Sequence, residues 1–370
     1  MEIKYQNKDY ILIISSEFPP GPGGIGTHAF SIANAFQKKG YNVIVNTISN
    51  YVGDLQQKQF DQKNSFKVLR FYNYNNIIIR WFYRIYTIHK TIKSHKIKKV
   101  FISGRFSIWV IPYIKIMGVK NITTIIHGTE MGKGIFFKWT SYCLKMAVNT
   151  IAVSKFTKSL IPHPLILRTV IINNGIDTNL WNYRDENIDI KNFPILLTVG
   201  SISFRKGQIN VIKNLPYILK TFPNAHYHCV GNDNEKDHLL AVINRFDLFN
   251  KVTIHGILKH SELEHLYKIS HINMMLSGNN NQTDYEGFGI SVLEGNLFGV
   301  PAIGAKNSGL EDSIQSGITG ELVDPENLEM VLKSLEKIFS KYNKYSLESK
   351  KYAKSNNWDN KILEYEKFIQ

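Results

Sequence analysis

The stretch ILLTVGSISFRKGQ, residues 195 to 208, runs from an unbroken apolar segment through Gly200 into a turn carrying Arg205 and Lys206, then reaches a second glycine, Gly207. An apolar run without alternation marks a strand covered on both faces, as parallel strands are. The helix pattern that follows places Val211, Leu215, Ile218, Leu219 and Phe222 on one face, which completes a strand-turn-helix unit. That unit recurs downstream with AHYHCVG (225–231), KVTIHG (251–256), HINMMLS (271–277), VPAIGA (300–305) and TGELVD (319–324), and a helix near 327–340 closes the series.

An earlier series has the same form. It opens with YILIISS (10–16) and a glycine-rich loop, then a helix with Phe30, Ile32, Ala33 and Phe36 that ends at Gly40. YNVIVNTI (41–48), KKVFISG (98–104), NITTIIHG (121–128), NTIAVS (149–154) and TVIINNG (169–175) continue it. Two such series predict an α/β chain of two Rossmann-like, doubly wound parallel-sheet domains. The expected boundaries are 1–176 and 194–356, joined by the polar, aperiodic linker 177–193. The last stretch, 356–369, reads as a helix with Trp358, Ile362, Tyr365 and Phe368 on one stripe. With no strand to follow, it could extend the second domain or pack back on the first.

A length of 370 residues agrees with two domains, and 43% hydrophobic with 20% charged residues is an ordinary globular balance. Cys143 and Cys229 are far apart and lie in no CxxC or Cys/His cluster, so a disulfide framework or zinc site is not expected. The amino terminus lacks a signal-peptide pattern and no run approaches the roughly 18 apolar residues of a membrane span. A cytoplasmic location is therefore expected. The net charge of +15 calls for an anionic partner. Residues 66–100 interleave Lys and Arg with Phe, Tyr, Trp and Ile, which suits an anionic membrane surface rather than nucleic acid. The alternative there is a pair of core-packed helices with solvated basic faces.

The loop EFPPGPGGIGTHAF (17–30) formally contains G-x-G-x-x-G through Gly21, Gly23 and Gly26. A dinucleotide site needs an acidic residue after the second strand, and Asn46 and Thr47 stand there instead. Backbone N–H groups around Gly23 and Gly24 remain suited to the close approach of an anion. His127 ends a strand just before Gly128, at the carboxyl edge where ligands of parallel sheets bind. Arg205 and Lys206, beside a helix start, form a pocket for a diphosphate.

In EGFGISVLE, Glu286 and Glu294 are separated by seven residues. Gly287 and Gly289 keep Glu286 in a loop, whereas Glu294 falls on the second turn of a short helix. The N–H groups of Phe288, Gly289 and Ile290 lie at the helix mouth. Two carboxylates flanking an anion site are best aimed at hydroxyl groups, Glu286 at a sugar and Glu294 at a ribose, with the cations on the diphosphate between them. A glycosidase also needs two carboxylates, but it would leave the cations unused.

These residues resemble the GT-B retaining glycosyltransferases of family 4, the glycosyl transferases group 1 type. The most specific mark is E-x7-E, Glu286 to Glu294, followed by Gly299-Val300-Pro301, NSGLEDSI and GITGELVDP. FPPGPGGIGTH, HG at 127–128, AVS at 152–154, NNGID at 173–177 and VGSISFRKG at 199–207 support it. The resemblance implies the GT-B fold, a nucleotide sugar held mainly by the second domain, an acceptor by the first, and retention of configuration with neither metal nor cofactor. By motif, Glu286 resembles the donor-sugar residue, Glu294 the ribose residue, Arg205 and Lys206 the diphosphate cations, and His127 the active-site histidine. Gly23 and Gly24 match the loop that nears the phosphate, and 357–370 is expected to return to the first domain.

Many members carry Arg where this chain has Ser201, so the diphosphate contact is expected to rest on Arg205 and Lys206. No D-x-D triplet occurs, although Asp233 to Glu235 reads D-x-E. The acceptor implied is a saccharide or polyprenyl-linked saccharide, as in bacterial surface polysaccharide assembly, with Arg105 and Lys133 as candidate contacts. Rival readings are a nucleotide-sugar epimerase of the same fold and a non-catalytic basic module for membrane or nucleic acid.

Overall fold

The computed structural model describes residues 9–48, 53–131, 134–183, 194–232, 235–278 and 286–369. Two compact units emerge, Met1–Asn174 with Trp358–Gln370, and Gly175–Asn357. The first contains β1 (Tyr10–Ser15), β2 (Asn42–Ile48), β3 (Lys67–Phe71), β4 (Lys99–Ser103), β5 (Asn121–Ile126), β6 (Asn149–Ala152) and β7 (Thr169–Ile171). Their order is β3-β2-β1-β4-β5-β6-β7, every neighbouring pair parallel. The second contains β8 (Ile195–Val199), β9 (His226–Val230), β10 (Val252–Ile254), β11 (Ile272–Met275), β12 (Ala302–Ala305) and β13 (Gly320–Val323). They run β10-β9-β8-β11-β12-β13, again all parallel.

Each sheet thus reverses its strand order beside its first strand, between β1 and β4 and between β8 and β11. Ligands of doubly wound sheets bind outside the carboxyl ends of the strands at such reversals. The residues that follow β1, β8 and β11 include the glycine loop, Arg205 with Lys206, and Glu286.

One strand corrects the sequence reading. Residues 66–100 are neither a pair of helices nor wholly a surface segment: they form edge strand β3 and one helix, Ile77–His95. With five residues and only Phe71 buried, β3 carries too little apolar alternation to stand out. The helix is amphipathic along its length. Its carboxyl half buries Ile88 and Ile92 in the core with Leu12, Ile14 and Val100, while Ile78, Ile79 and Phe82 near its start are exposed.

The terminal helix Trp358–Glu366 belongs to the first unit, where Trp358, Ile362 and Tyr365 are buried. Ile369, rather than Phe368, supplies the last fully covered side chain because the helix has already ended. In the second unit, helix Gln208–Thr221 packs Val211, Leu215 and Ile218 against Tyr227 and Cys229, and helix Leu328–Ser340 adds Val331, Leu335 and Ile338. Of the expected linker, 177–183 is a short capped turn around Thr178–Leu180, and 184–193 lies outside the described residues.

Two local devices set the strand ends. Gly207 has φ +80°, and a Cβ there would lie 2.0 Å from the carbonyl oxygen of Leu276, so the turn bearing Arg205 and Lys206 is pressed against the end of β11. In the first unit, the buried carboxylate of Glu130 accepts from the backbone N–H of His127 at 3.1 and 3.0 Å and of Gly128 at 2.8 Å. It thereby closes the loop after β5.

Burial raises Glu130 to about 7, against the opposing effect of those backbone bonds. Because its native value lies above its ordinary one, the native state favours the protonated acid. That stabilisation is complete below about pH 4.5 and is lost as pH rises through about 7. Relative to Glu130→Gln, the wild type should lose roughly 3 kcal/mol across that interval, read from urea denaturation of both proteins as pH is varied. A difference that stays constant with pH would mean that Glu130 titrates at its ordinary value.

Candidate active site

The second unit gathers most of the candidate residues. Past β8, the turn Phe204–Lys206 is fixed from below by Glu235, whose carboxylate accepts the Phe204 N–H at 3.0 Å. This gives the Glu235 of the D-x-E triplet a structural partner; Asp233 lies outside the described residues. The aliphatic stem of Lys206 lies over Gly200, where a Cβ would come within 2.8 Å of Lys206 Cε. Ser201 contributes its carbonyl to Ser203 and Gln208.

From this turn Arg205 Nη1 and Lys206 Nζ each reach Glu286 Oε2 at 2.8 Å. Burial favours the neutral form of Glu286, but Lys206 and Arg205 together outweigh it and hold the carboxyl below its usual range. Burial lowers Lys206 as well, aided by Arg205 and opposed by Glu286. Two cations therefore share one oxygen of a buried carboxylate.

Gly289, in the left-handed conformation at φ +83°, caps helix Ile290–Leu297. Its N–H bonds to the Glu286 carboxylate. Of the three N–H groups expected at the helix mouth, those of Phe288, Gly289 and Ile290, that of Gly289 thus serves Glu286 itself. The loop is held from behind: the Gly309 N–H donates to the Glu286 carbonyl at 2.8 Å, and a Cβ on Gly309 would strike the Gly287 carbonyl. Phe288 is buried beneath it.

Glu294, on the helix, accepts from Tyr267 Oη at 2.8 Å through Oε2. Burial raises its pKa despite that bond and despite the fields of His260 and Lys206. Lys206 thus lies within the field of both glutamates. Tyr267 is stacked on Phe298 with centroids 5.5 Å apart, and Trp181 meets both rings edge-on at 5.7 Å. This aromatic support fixes one Glu294 oxygen and leaves the other the capacity to accept hydroxyl donors.

The first unit holds the rest. His127 is buried, its Nε2 has no hydrogen-bond partner, and burial lowers it to about 3, so the imidazole is neutral at neutral pH. His28 packs against it with ring centroids 4.9 Å apart. Gly23 makes room for a side chain: a Cβ there would lie 2.1 Å from Glu17 Oε2, whereas Gly24 faces open space. Arg105 donates to the carbonyls of Thr129 and Glu130, bracing the loop after β5. Lys133 lies outside the described residues.

Sequence reasoning did not single out His28, Glu130 or Tyr267, and it placed Tyr365 only on the apolar stripe of the terminal helix. Glu130 stands three residues after His127 and His28 ends the quoted GGIGTH, so both had a local signal. Tyr267 had none, and the stripe that placed Tyr365 said nothing of its hydroxyl.

Comparison with known proteins adds the family. Residues 22–180 match the model of Glycosyltransferase Family 4, and residues 181–356 match that of Glycosyl transferases group 1. Glycogen synthase of Mycobacterium tuberculosis is 23% identical over 86% of this chain and 83% of its own. The GDP-mannose-dependent alpha-(1-6)-phosphatidylinositol monomannoside mannosyltransferase of Mycolicibacterium smegmatis is 20% identical over 87% of both chains.

Among solved structures, sucrose-phosphate synthase of Thermosynechococcus elongatus superposes with a TM-score of 0.81 at 16% identity over 98% of each chain. HepE of Anabaena, solved with UDP and glucose, gives 0.79 at 17% identity over 98% of this chain and 99% of its own. With two parallel sheets of the GT-B kind and family matches running from residue 22 to 356, the chain belongs to the GT-B glycosyltransferases of group 1 and family 4.

Proposed function

We propose that this glycosyltransferase moves a sugar from a nucleoside diphosphate sugar to a saccharide or lipid-linked saccharide, with retention of anomeric configuration and without a metal or other cofactor. The observation that carries the reading is the pair of 2.8 Å contacts from Arg205 and Lys206 to Glu286, at the strand-order reversal beside β8. Two fixed cations beside a carboxylate suit a donor with a diphosphate on one side and a hydroxyl-rich ring on the other. Names of similar proteins agree: one uses GDP-mannose, and another was solved with UDP and glucose.

In this mechanism the acceptor hydroxyl attacks the anomeric carbon on the face from which the nucleoside diphosphate leaves. The leaving phosphate takes the hydroxyl proton. Arg205 and Lys206 stabilise its developing charge, the electrostatic task for which a metal is otherwise recruited. Glu286 holds both cations in place and accepts from the sugar hydroxyls; Glu294 accepts from the ribose. Neutral His127 hydrogen-bonds the donor sugar, and N–H groups at Gly23 and Gly24 approach its phosphate. Arg105 and Lys133 are proposed on the acceptor side, with Arg105 acting through the loop it braces.

The acceptor is proposed to lie at an anionic membrane, as in assembly of bacterial surface polysaccharides such as lipopolysaccharide. Among the described residues no helix is long and apolar enough to cross a membrane. Instead, helix Ile77–His95 exposes Phe82 at 73% and helix Gly134–Met146 exposes Ile135 at 76%. Trp81, Trp109 and Phe136 stack in sequence, at 6.4 and 5.6 Å, and join the two helices into one aromatic ridge. Arg80 and Lys138 lie on those same two helices. Apolar and aromatic groups beside cations are what an interfacial surface requires.

Two experiments test these statements. With a matched donor and acceptor, transfer should continue in EDTA, require the acceptor, and give a product whose anomeric configuration by NMR equals that of the donor. Glu286→Gln should lower kcat by about 10²-fold or more while nucleotide binding persists. Full activity in that variant would remove Glu286 from the chemistry, and inversion would refute the same-face path.

For the membrane, the protein should sediment with anionic phosphatidylglycerol vesicles at low salt and be released as salt rises. Phe82→Asp with Ile135→Asp should weaken this about tenfold or more and leave transfer to a soluble acceptor unchanged. Failure to bind vesicles at low salt would exclude the surface.

A further inference from the structure

Between Asp61 and Asp177 the chain holds nineteen Lys and Arg but one acid, Glu130, whereas the rest of it holds 26 Lys and Arg against 29 Asp and Glu. The net charge of +15 therefore comes from this segment alone. Helix Ile77–His95 lies within it, and the acids nearest to that helix in sequence are already engaged. Asp61 pairs with Arg70 at 2.8 Å, and Glu130 holds the loop after β5 through backbone N–H groups.

Arg84, near the middle of the helix, is half-buried, with its guanidinium 5.6 Å over the Trp81 ring. Its Nε–H is buried with no hydrogen-bond partner, and among the described residues no carboxylate pairs with it. Burial first, and then Arg80, oppose its charge and lower its pKa, yet a guanidinium keeps its proton in proteins. Arg80, one turn earlier, donates at 3.0 Å to the neutral amide oxygen of Asn73. Two adjacent cations thus stand on one helix face without an anion among the described residues. They are placed on elements that follow the carboxyl ends of β3, β4 and β5, the edge that also carries His127. Trp109 Nε1 donates to Thr140 Oγ1 at 3.0 Å, which fixes the Trp81–Trp109–Phe136 stack to helix Gly134–Met146.

We propose that Arg84, with Arg80 beside it, binds the phosphate of a lipid-linked acceptor whose apolar chain lies along the Trp81–Trp109–Phe136 stack. A guanidinium stacked on an aromatic ring keeps its terminal N–H groups for phosphate oxygens, which it meets as a planar fork. Recession separates this site from general attraction to a bilayer: Lys90, Lys93 and Lys138 are exposed and can meet headgroups, whereas Arg84 is set back among the rings. The inference rests on the lipid-linked acceptor proposed above.

The test uses the full chain in neutral detergent micelles, with geranylgeranyl phosphate and geranylgeraniol as probes and calorimetry as the measurement. Wild type should bind the phosphate about tenfold or more tightly than the alcohol, and Arg84→Gln should remove that preference with alcohol affinity kept within about twofold. Arg84→Lys, which keeps the charge but loses the fork and the stack, should reduce the preference about threefold or more. A wild type without the preference, or an Arg84→Gln protein that retains it, would overturn the site. Weaker sedimentation of Arg84→Gln with phosphatidylglycerol vesicles, at an unchanged preference in micelles, would assign Arg84 to bilayer headgroups and overturn it too. If the enzyme transfers to free saccharides alone, the lipid-linked acceptor fails, while the micelle preference still decides whether Arg84 holds a lipid phosphate.

Discussion

Glu286 is a buried carboxylate, and burial by itself would drive it towards the neutral acid. Lys206 and Arg205 reverse that tendency from one turn, each at 2.8 Å from the same oxygen. The dependence runs both ways: without the carboxylate, two adjacent cations would face each other in a buried pocket, and Lys206 is already lowered with Glu286 present. Removing one member of such a buried set commonly costs roughly 3 to 5 kcal/mol. The turn after β8 and the loop after β11 are therefore tied electrostatically as well as by the close packing at Gly207.

Glu130 in the first unit provides the contrast that isolates the cause. Both glutamates follow a central strand, both are buried, and both accept from backbone N–H groups. Glu130 has no cation among the causes of its shift and rises to about 7; Glu286 has two and falls. Equal burial thus yields opposite charge preference, decided by neighbours alone. Glu130 is built to hold a loop with hydrogen bonds, and Glu286 is built to remain an anion.

What could be read from sequence follows the same division between local and distant causes. Twelve strands were legible because most are apolar runs covered on both faces, bounded by small residues. Edge strand β3 was not, since one buried residue leaves no pattern. Helix Tyr342–Ser355 was also hidden: it docks through Tyr342, Tyr345 and Ala353 but is otherwise rich in Lys and Ser, so its stripe is chemically blurred. In the site, Arg205, Lys206, Glu286 and Glu294 were legible because spacing around glycines places them at a turn and a helix start. That Glu286 would bind both cations directly was not, because it depends on how two loops 80 residues apart are packed. Tyr267 and Tyr365 are ordinary helix residues until the fold brings their hydroxyls to Glu294 and His28.

The two units also differ in the charged groups near their strand ends. Around β8 and β11 two cations share one carboxylate oxygen. Around β1 and β5, Glu17 lies against Gly23 and close enough to raise Glu130, beside two neutral imidazoles. A side chain at Gly23 would meet the Glu17 carboxylate, whereas Gly24 faces open space. Carboxylate oxygens accept from hydroxyl groups, and a neutral imidazole can either donate or accept, so the cations of the second unit and the neutral rings of the first offer different chemistry to a ligand.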